Sequence, residues 1–311
     1  MALGSLEIRL IAREHRRRPF TGPVLQLGRQ RIDVTPEEAE ALLLSEGVTP
    51  QPIPADLPLH GQRPDGLVAV HDARNISDLA LFAMFGITDV VAVDVSPRDH
   101  PEVIADLNYP YPPELKDRFD LIVDGGTFDH LFDLRQAFIN VATALRPGGR
   151  IIQWNAASNY VEWGAYCSFS PAVFHDYYTQ NRFADVRTFL AVASYAYPGT
   201  WDLFAYDYVP GVASPFVDPG RVMSVVWAER TAESTSDVIP TQTWWFEPEG
   251  QQMPPLRRVA AMLRKFRARY PEAAELPYRK VFRPLRAAYF KTRLFFAPSE
   301  HSRRYRHLGR F

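Results

Sequence analysis

The sequence has almost no cysteine. Cys167 is the single one in 311 residues, which excludes an internal disulfide and any multi-cysteine zinc site and suits a reducing compartment. Charge of one sign is not in excess either. A formal net charge of −1 removes any global argument for a nucleic-acid or membrane-surface partner. Long apolar runs are missing too. The arginine-bearing start around Arg9, Arg13 and Arg16 has no apolar core of signal-peptide length, and no later run is long and charge-free enough to span a bilayer. His71 and His175 lack partners at metal-ligand spacing, so no metal is expected. These absences leave a soluble, cytoplasmic protein as the expectation. The apolar fraction of 46%, against 23% charged residues, is ample for a packed core.

What is present is clearest between Phe119 and Asn155. Leu121, Ile122 and Val123 form a branched apolar run ending at Asp124-Gly125-Gly126, the pattern of a parallel strand buried on both faces. Leu131, Leu134, Phe138, Val141 and Leu145 then recur at helical spacing, Pro147-Gly148-Gly149 ends the helix, and Arg150 to Trp154 starts another strand. A βαβ unit of this kind binds ligands beyond the carboxyl ends of its strands, here Asp124 to His130 and Trp154 to Asn159.

The rest of the chain repeats the alternation. Ser5 to Arg17 is a leading helix, Val24 to Gly28 a first strand, and Thr35-Pro36-Glu37-Glu38 a helix start with a capping box. Leu67 to Val70 offers another short strand. Ile76 to Phe85 is helical with Gly86 as its cap, and Asp89 to Asp94 is a strand. Val103 to Asp106 repeats that pattern on a smaller scale, so Asp94, Asp106 and Asp124 are successive strand-end acids. Ser170-Pro171 starts a helix, and Val186 to Val192 and Val222 to Trp227 are strands. The expected division is residues 1–21 as an N-terminal helix, 22–232 as a doubly wound α/β domain, and 238–311 as a basic helical extension. The domain carries an insertion at about 31–66 and a lid at about 195–217.

An acid at the end of the second strand can accept both hydroxyls of a ribose, and Asp94 holds that position. Asp106, with the amide of Leu107, is placed to read an adenine edge. Trp154, Asn155, Tyr160, Trp163 and Tyr166 are candidates to line an acceptor pocket, although aromatics at strand ends serve equally well as core.

The segments VVAVDVS, IADLN, FDLIVDGGTFDHLFDLRQAFINVATALRPGGRII and SFSPAVFHDYYTQNRFADV resemble the class I S-adenosylmethionine-dependent methyltransferases over about Gly22 to Arg230. Within them the chain is similar to bacterial methyltransferase-like proteins with a degenerate glycine-rich loop. The resemblance implies a Rossmann-like sheet of seven strands, the last, Val222 to Trp227, antiparallel. It implies S-adenosylmethionine held by Gly28, Arg29, Asp72, Asp94, Asp106, Leu107, Asp124 and Gly125. It places Asp129 and His130 at the catalytic corner, with His130 as a base of near-neutral pKa; as bare sequence the same pair also reads as an ordinary helix start. The implied activity is methyl transfer to oxygen or nitrogen of a small molecule, such as a sugar or secondary metabolite, and a homodimer is compatible with it. The sequence departs from the family in the loop Leu27-Gly28-Arg29-Gln30-Arg31, which carries one glycine. Two alternatives follow: a cyclase- or lyase-type reaction on the same fold, or a scaffold binding through its basic tail.

Overall fold

The computed structural model describes residues 2–61, 74–158, 165–193, 200–206, 220–242 and 305–311. The chain forms two units. One comprises residues 1–207, 220–241 and 306–311; the other, 208–219 and 242–305, lies almost wholly outside the described residues. The expected strand at Leu67 to Val70 falls outside them, and so does most of both the expected lid and the basic extension.

In the first unit the strands are β1 (Ala2–Leu3), β2 (Val24–Leu27), β3 (Arg31–Ile32), β4 (Val90–Asp94), β5 (Val103–Ile104), β6 (Phe119–Asp124), β7 (Leu145–Ser158), β8 (Ala184–Ala193), β9 (Trp201–Tyr206), β10 (Val222–Glu229) and β11 (Tyr305–Arg310). The helices are α1 (Ser5–Arg17), α2 (Pro36–Ser45), α3 (Asp78–Met84), α4 (Leu134–Ala144) and α5 (Pro171–Gln180). Strands β1 and β3 pair with each other; the other nine form one sheet in the order β11-β9-β8-β10-β7-β6-β2-β4-β5. Strand β10 runs antiparallel to both neighbours, with Val225 opposite Trp154 on β7 and Phe189 on β8.

Seven of these strands, β5-β4-β2-β6-β7-β10-β8, make the doubly wound sheet the sequence implies, its last strand antiparallel. Numbered within the seven, the order is 3-2-1-4-5-7-6. The pair β1 and β3 was not anticipated, nor were two strands of the large sheet. β9 lies within the stretch expected to be a lid, and β11 brings the C-terminal residues back to the sheet edge, where Trp201 and Phe311 exchange backbone hydrogen bonds at 2.9 Å. Both N–H groups of an edge segment are satisfied more cheaply by a strand than by burial in a loop.

The sheet is covered on both faces. Leu6, Ile8 and Ile11 of α1, Leu43 of α2 and Leu81 and Phe82 of α3 pack with Leu121, Val123, Trp154 and Trp227 on one face. Phe138 and Val141 of α4 and Phe174 and Tyr178 of α5 pack with Leu25, Ile122 and Ile151 on the other. Phe138 stacks on Tyr177, ring centroids 4.2 Å apart, and meets Tyr178 edge-on. The alternation of these clusters along β6 and β7 is the period of two that a pleated strand imposes.

Two buried acids fix α1. Burial pushes Glu14 up, but hydrogen bonds from Arg17 and Arg187 hold its carboxyl below the usual range; Arg150 Nη1, 3.0 Å from Oε1, adds the tie to β7. Glu7 sits in the first turn, where Oε2 accepts from Gly4 N at 2.9 Å. Burial, with a smaller contribution from Asp33, raises Glu7 from 4.5 to about 7. A carboxyl raised on folding is protonated in the native state, so its stabilisation is complete below pH 4.5 and is lost as pH climbs towards 7. Glu7→Gln keeps an acceptor for Gly4 and removes the charge. Urea denaturation is therefore expected to show the variant more stable than the parent at pH 8, by up to about 3 kcal/mol, and the two near parity at pH 4.5. An unchanged difference across that range would contradict the assignment.

Candidate functional site

From β2 the chain crosses to β4 on one side and later returns to β6 on the other. The ends of β2 and β6 are thus where the strand order reverses, the position at which open α/β sheets bind ligands. The turn after β2 opens with Gly28 at φ +70°, its N–H donating to Val93 O at 2.7 Å. A Cβ built on Gly28 would lie 3.4 Å from Asp94 Oδ2 and 3.6 Å from Thr127 Oγ1. The absent side chain therefore leaves a small cradle between the ends of β2, β4 and β6. The left-handed φ reserves it for glycine.

Asp94 is half-buried at the end of β4. Ser96 N caps its Oδ1 at 2.9 Å, and Oδ2 faces the cradle. Val95 beside it is 65% exposed. Asp106 uses Oδ1 to accept from Asn108 N and Nδ2 at 2.9 and 2.7 Å. Asn108 Oδ1 in turn accepts from Phe132 N and Asp133 N at 3.0 and 2.8 Å, joining the loop after β5 to the start of α4. Leu107 is buried, and its carbonyl accepts from Asn140 Nδ2 at 3.0 Å.

Arg29 was expected at the cofactor; the fold uses it as a tie. Its guanidinium reaches Asp78 Oδ2 at 2.9 Å, Asp99 O at 3.0 Å, His100 O at 3.1 Å and Glu102. This binds the first turn of α3 and the loop after β4 to the turn after β2. Gln26 Nε2 meets the same Asp78 oxygen at 2.7 Å. Gln30 folds back so that Nε2 donates to Leu27 O and Gly28 O, both at 2.9 Å. Its Oε1 is buried and has no hydrogen-bond donor among the described residues. That oxygen abuts Gly125, where an added Cβ would lie 2.1 Å away.

Asp124, also expected at the cofactor, is fully buried and saturated. Gln153 Nε2 and Asn155 Nδ2 donate to Oδ2 at 3.0 and 2.9 Å; Gly126 N and Thr127 N donate to Oδ1 at 3.1 and 2.6 Å. Burial pushes this carboxyl up and the four donors pull against it. Asn155 and Trp154, expected to line an acceptor pocket, are also fully buried, the first spent on Asp124 and the second in the core of the α1 to α3 face. Tyr166 is the opposite, 72% exposed. Asp72, Tyr160 and Trp163 lie outside the described residues.

Asp129 is buried while the His130 side chain is 39% exposed, with Asp129 Oδ1 3.9 Å from His130 Nε2. Burial, then the charge of Asp124, raises Asp129 to about 7, against a hydrogen bond from the Ala156 backbone. A buried acid behind a more exposed histidine is an arrangement suited to moving a proton.

No protein-family model and no curated protein matches the chain. Among solved structures, an S-adenosylmethionine-dependent methyltransferase from Archaeoglobus fulgidus is similar over 72% of this chain and 94% of its own, at 12% identity and a TM-score of 0.36. The 1,6-didemethyltoxoflavin N1-methyltransferase of Burkholderia thailandensis is similar over 72% and 78%, at 16% identity and a TM-score of 0.33. Similarity this distant carries no argument, and the Rossmann-like assignment stands on the strand order and the antiparallel β10.

Thr127 was not singled out by sequence, and Gln30 only as part of the one-glycine loop after the first strand. Thr127 follows the strand-end acid and its hydroxyl donates to Leu27 O across 100 residues, a link only the fold reveals. The Gln30 contact is directly testable. Gly125→Ala is expected to displace the Gln30 amide and destabilise the protein by about 1–3 kcal/mol. In a Gln30→Ala background the same change should cost a few tenths of a kcal/mol, as a double-mutant cycle in urea would measure. An equal cost in both backgrounds would contradict the contact.

Proposed function

We propose that this protein transfers the methyl group of S-adenosylmethionine to an oxygen or nitrogen of a small molecule, a sugar or secondary metabolite, in the cytoplasm. The observation that carries this reading is the free face of the Asp94 carboxylate beside the Gly28 cradle at the strand-order reversal. An acceptor oxygen next to backbone with no side chain suits a ribose lying flat across the strand ends. The unpaired Gln30 Oε1 at Gly125 suits the ammonium of the aminoacyl end, because a buried acceptor without a donor costs about 1–3 kcal/mol.

When bound, S-adenosylmethionine supplies an electrophilic methyl carbon on a sulfonium, whose carbon–sulfur bond breaks with its electron pair left on sulfur. Asp94 holds the ribose hydroxyls, and Asp106 with the Leu107 amide reads the adenine edge. Gly28 and Gly125 flank the aminoacyl end. His130 takes the acceptor's proton as the acceptor lone pair forms the new bond to carbon. Asp129 sits behind that imidazole, its Oδ1 3.9 Å from Nε2. Asp124 touches no ligand in this reading; it fixes the corner that presents Asp129 and His130. In-line displacement needs little more than alignment and a proton acceptor.

Isothermal titration with S-adenosylhomocysteine tests the reading. Binding is expected, and Asp94→Ala should weaken it by about 10- to 100-fold, the worth of hydrogen bonds to a charged acceptor. No binding at millimolar ligand would overturn methyl transfer. Binding of 5′-methylthioadenosine, which lacks the aminoacyl end, without binding of S-adenosylhomocysteine would leave an adenosine site that Gln30 closes to the larger ligand.

A further inference from the structure

We propose that Phe132 and Tyr166 form a docking platform for a planar aromatic ring, so that the methyl acceptor is an aromatic compound bearing a nucleophilic oxygen or nitrogen. The acceptor's role rests on the methyl-transfer reading; the platform rests on the surface itself. Phe132 is 87% and Tyr166 72% exposed, yet their rings meet edge-to-face, with centroids 6.4 Å apart and planes at 89°. Aromatic side chains dominate core energetics when buried, so two left in solvent and in contact with each other form an apolar surface with open ring faces.

Backbone bonds hold both rings to the same turn. Tyr166 N donates to Asp129 O at 2.7 Å and Cys167 N to the same oxygen at 3.1 Å. Phe132 lies two residues beyond His130, and its N–H donates to Asn108 Oδ1 at 3.0 Å. The backbone positions that carry both rings are thus tied to the turn holding Asp129 and His130. A third ring placed on them by offset stacking or edge contact, at centroid separations of roughly 4.5–7 Å, is held on the turn that carries His130. In this proposal an exocyclic hydroxyl or amine on that ring is the group whose proton His130 takes.

The size of the patch selects the occupant. Two aromatic side chains offer about 300–500 Å². A stable protein partner buries about 800 Å² on each side. A small aromatic molecule matches the platform, whereas a second copy of this chain would need far more surface than these two rings supply.

Saturation-transfer NMR on the full chain, with 2-naphthol and its decahydro counterpart as probes, tests the proposal. The two probes share a hydroxyl and a carbon skeleton and differ in aromaticity. The expected result is that 2-naphthol binds about tenfold more tightly than the saturated probe, and that Phe132→Ala with Tyr166→Ala abolishes most of that preference while leaving the thermal unfolding temperature unchanged. Equal binding of the two probes would overturn the platform, as would a preference that survives the double variant. A concentration-dependent dimer in sedimentation that the double variant abolishes would also overturn it, by making the rings a self-association surface. An aromatic preference that persists in a protein unable to bind S-adenosylhomocysteine would support the platform and refute methyl transfer, so the two claims fail separately.

Discussion

The carboxylate of Asp124 is the constraint on which the site depends. It is fully buried, and its four donors come from two places: Gln153 and Asn155 on β7, and the backbone of Gly126 and Thr127 in the turn after β6. A charge with no access to water is tolerated only when its lone pairs are met in this way. Meeting them dictates the corner. Gly126 takes φ +105° so that two successive amides converge on one oxygen, and Thr127 is brought over the end of β2. Tyr178 completes the shell from α5 by donating to Gln153 Oε1. The same buried charge helps lift Asp129, so the titration of the turn is tied to the bond network beneath it.

On the other side of the switch point the corresponding device is a cluster around Asp78. Gln26 on β2 and Arg29 beyond it both reach this acid at the start of α3, and Arg29 extends the tie to the loop after β4. In a fold that usually relies on glycines to bring backbone close to a ligand, this chain braces the turn with side chains instead. Gly28 carries no side chain at this point, and a Cβ there would meet Asp94 Oδ2 at 3.4 Å.

Much of the architecture could be read from the residues. The capping box at Thr35 and Glu38, the glycines after α2 and α3, and the run ending at Asp94 are local patterns, and each element stands within a few residues of its expected place. The antiparallel β10 followed from the resemblance. The distribution of the polar residues did not follow, because sequence cannot distinguish an acid aimed at a ligand from one aimed at a neighbouring strand. Asp94 and Asp124 both end apolar strands; β7 places amide donors at 153 and 155 on the face of Asp124, and among the described residues no such pair faces Asp94. Trp154, one residue along, points by the alternation of the strand into the opposite core. Arg29 is a similar case: its partners lie 49 to 73 residues away, so its role as a tie has no local signature. Phe132 carried no signal at all, since exposure is decided by the turn that Asn108 and Asp129 impose.

The central claim is that the gap over Gly28, not the acid of the β6 corner, receives the ligand. A crystal structure of the protein with S-adenosylhomocysteine tests it most directly. The account predicts ribose hydroxyls on Asp94 Oδ2 above Gly28, with the four donors of Asp124 unchanged. Ligand density hydrogen-bonded to Asp124, or ordered anywhere away from the ends of β2 and β4, would contradict it.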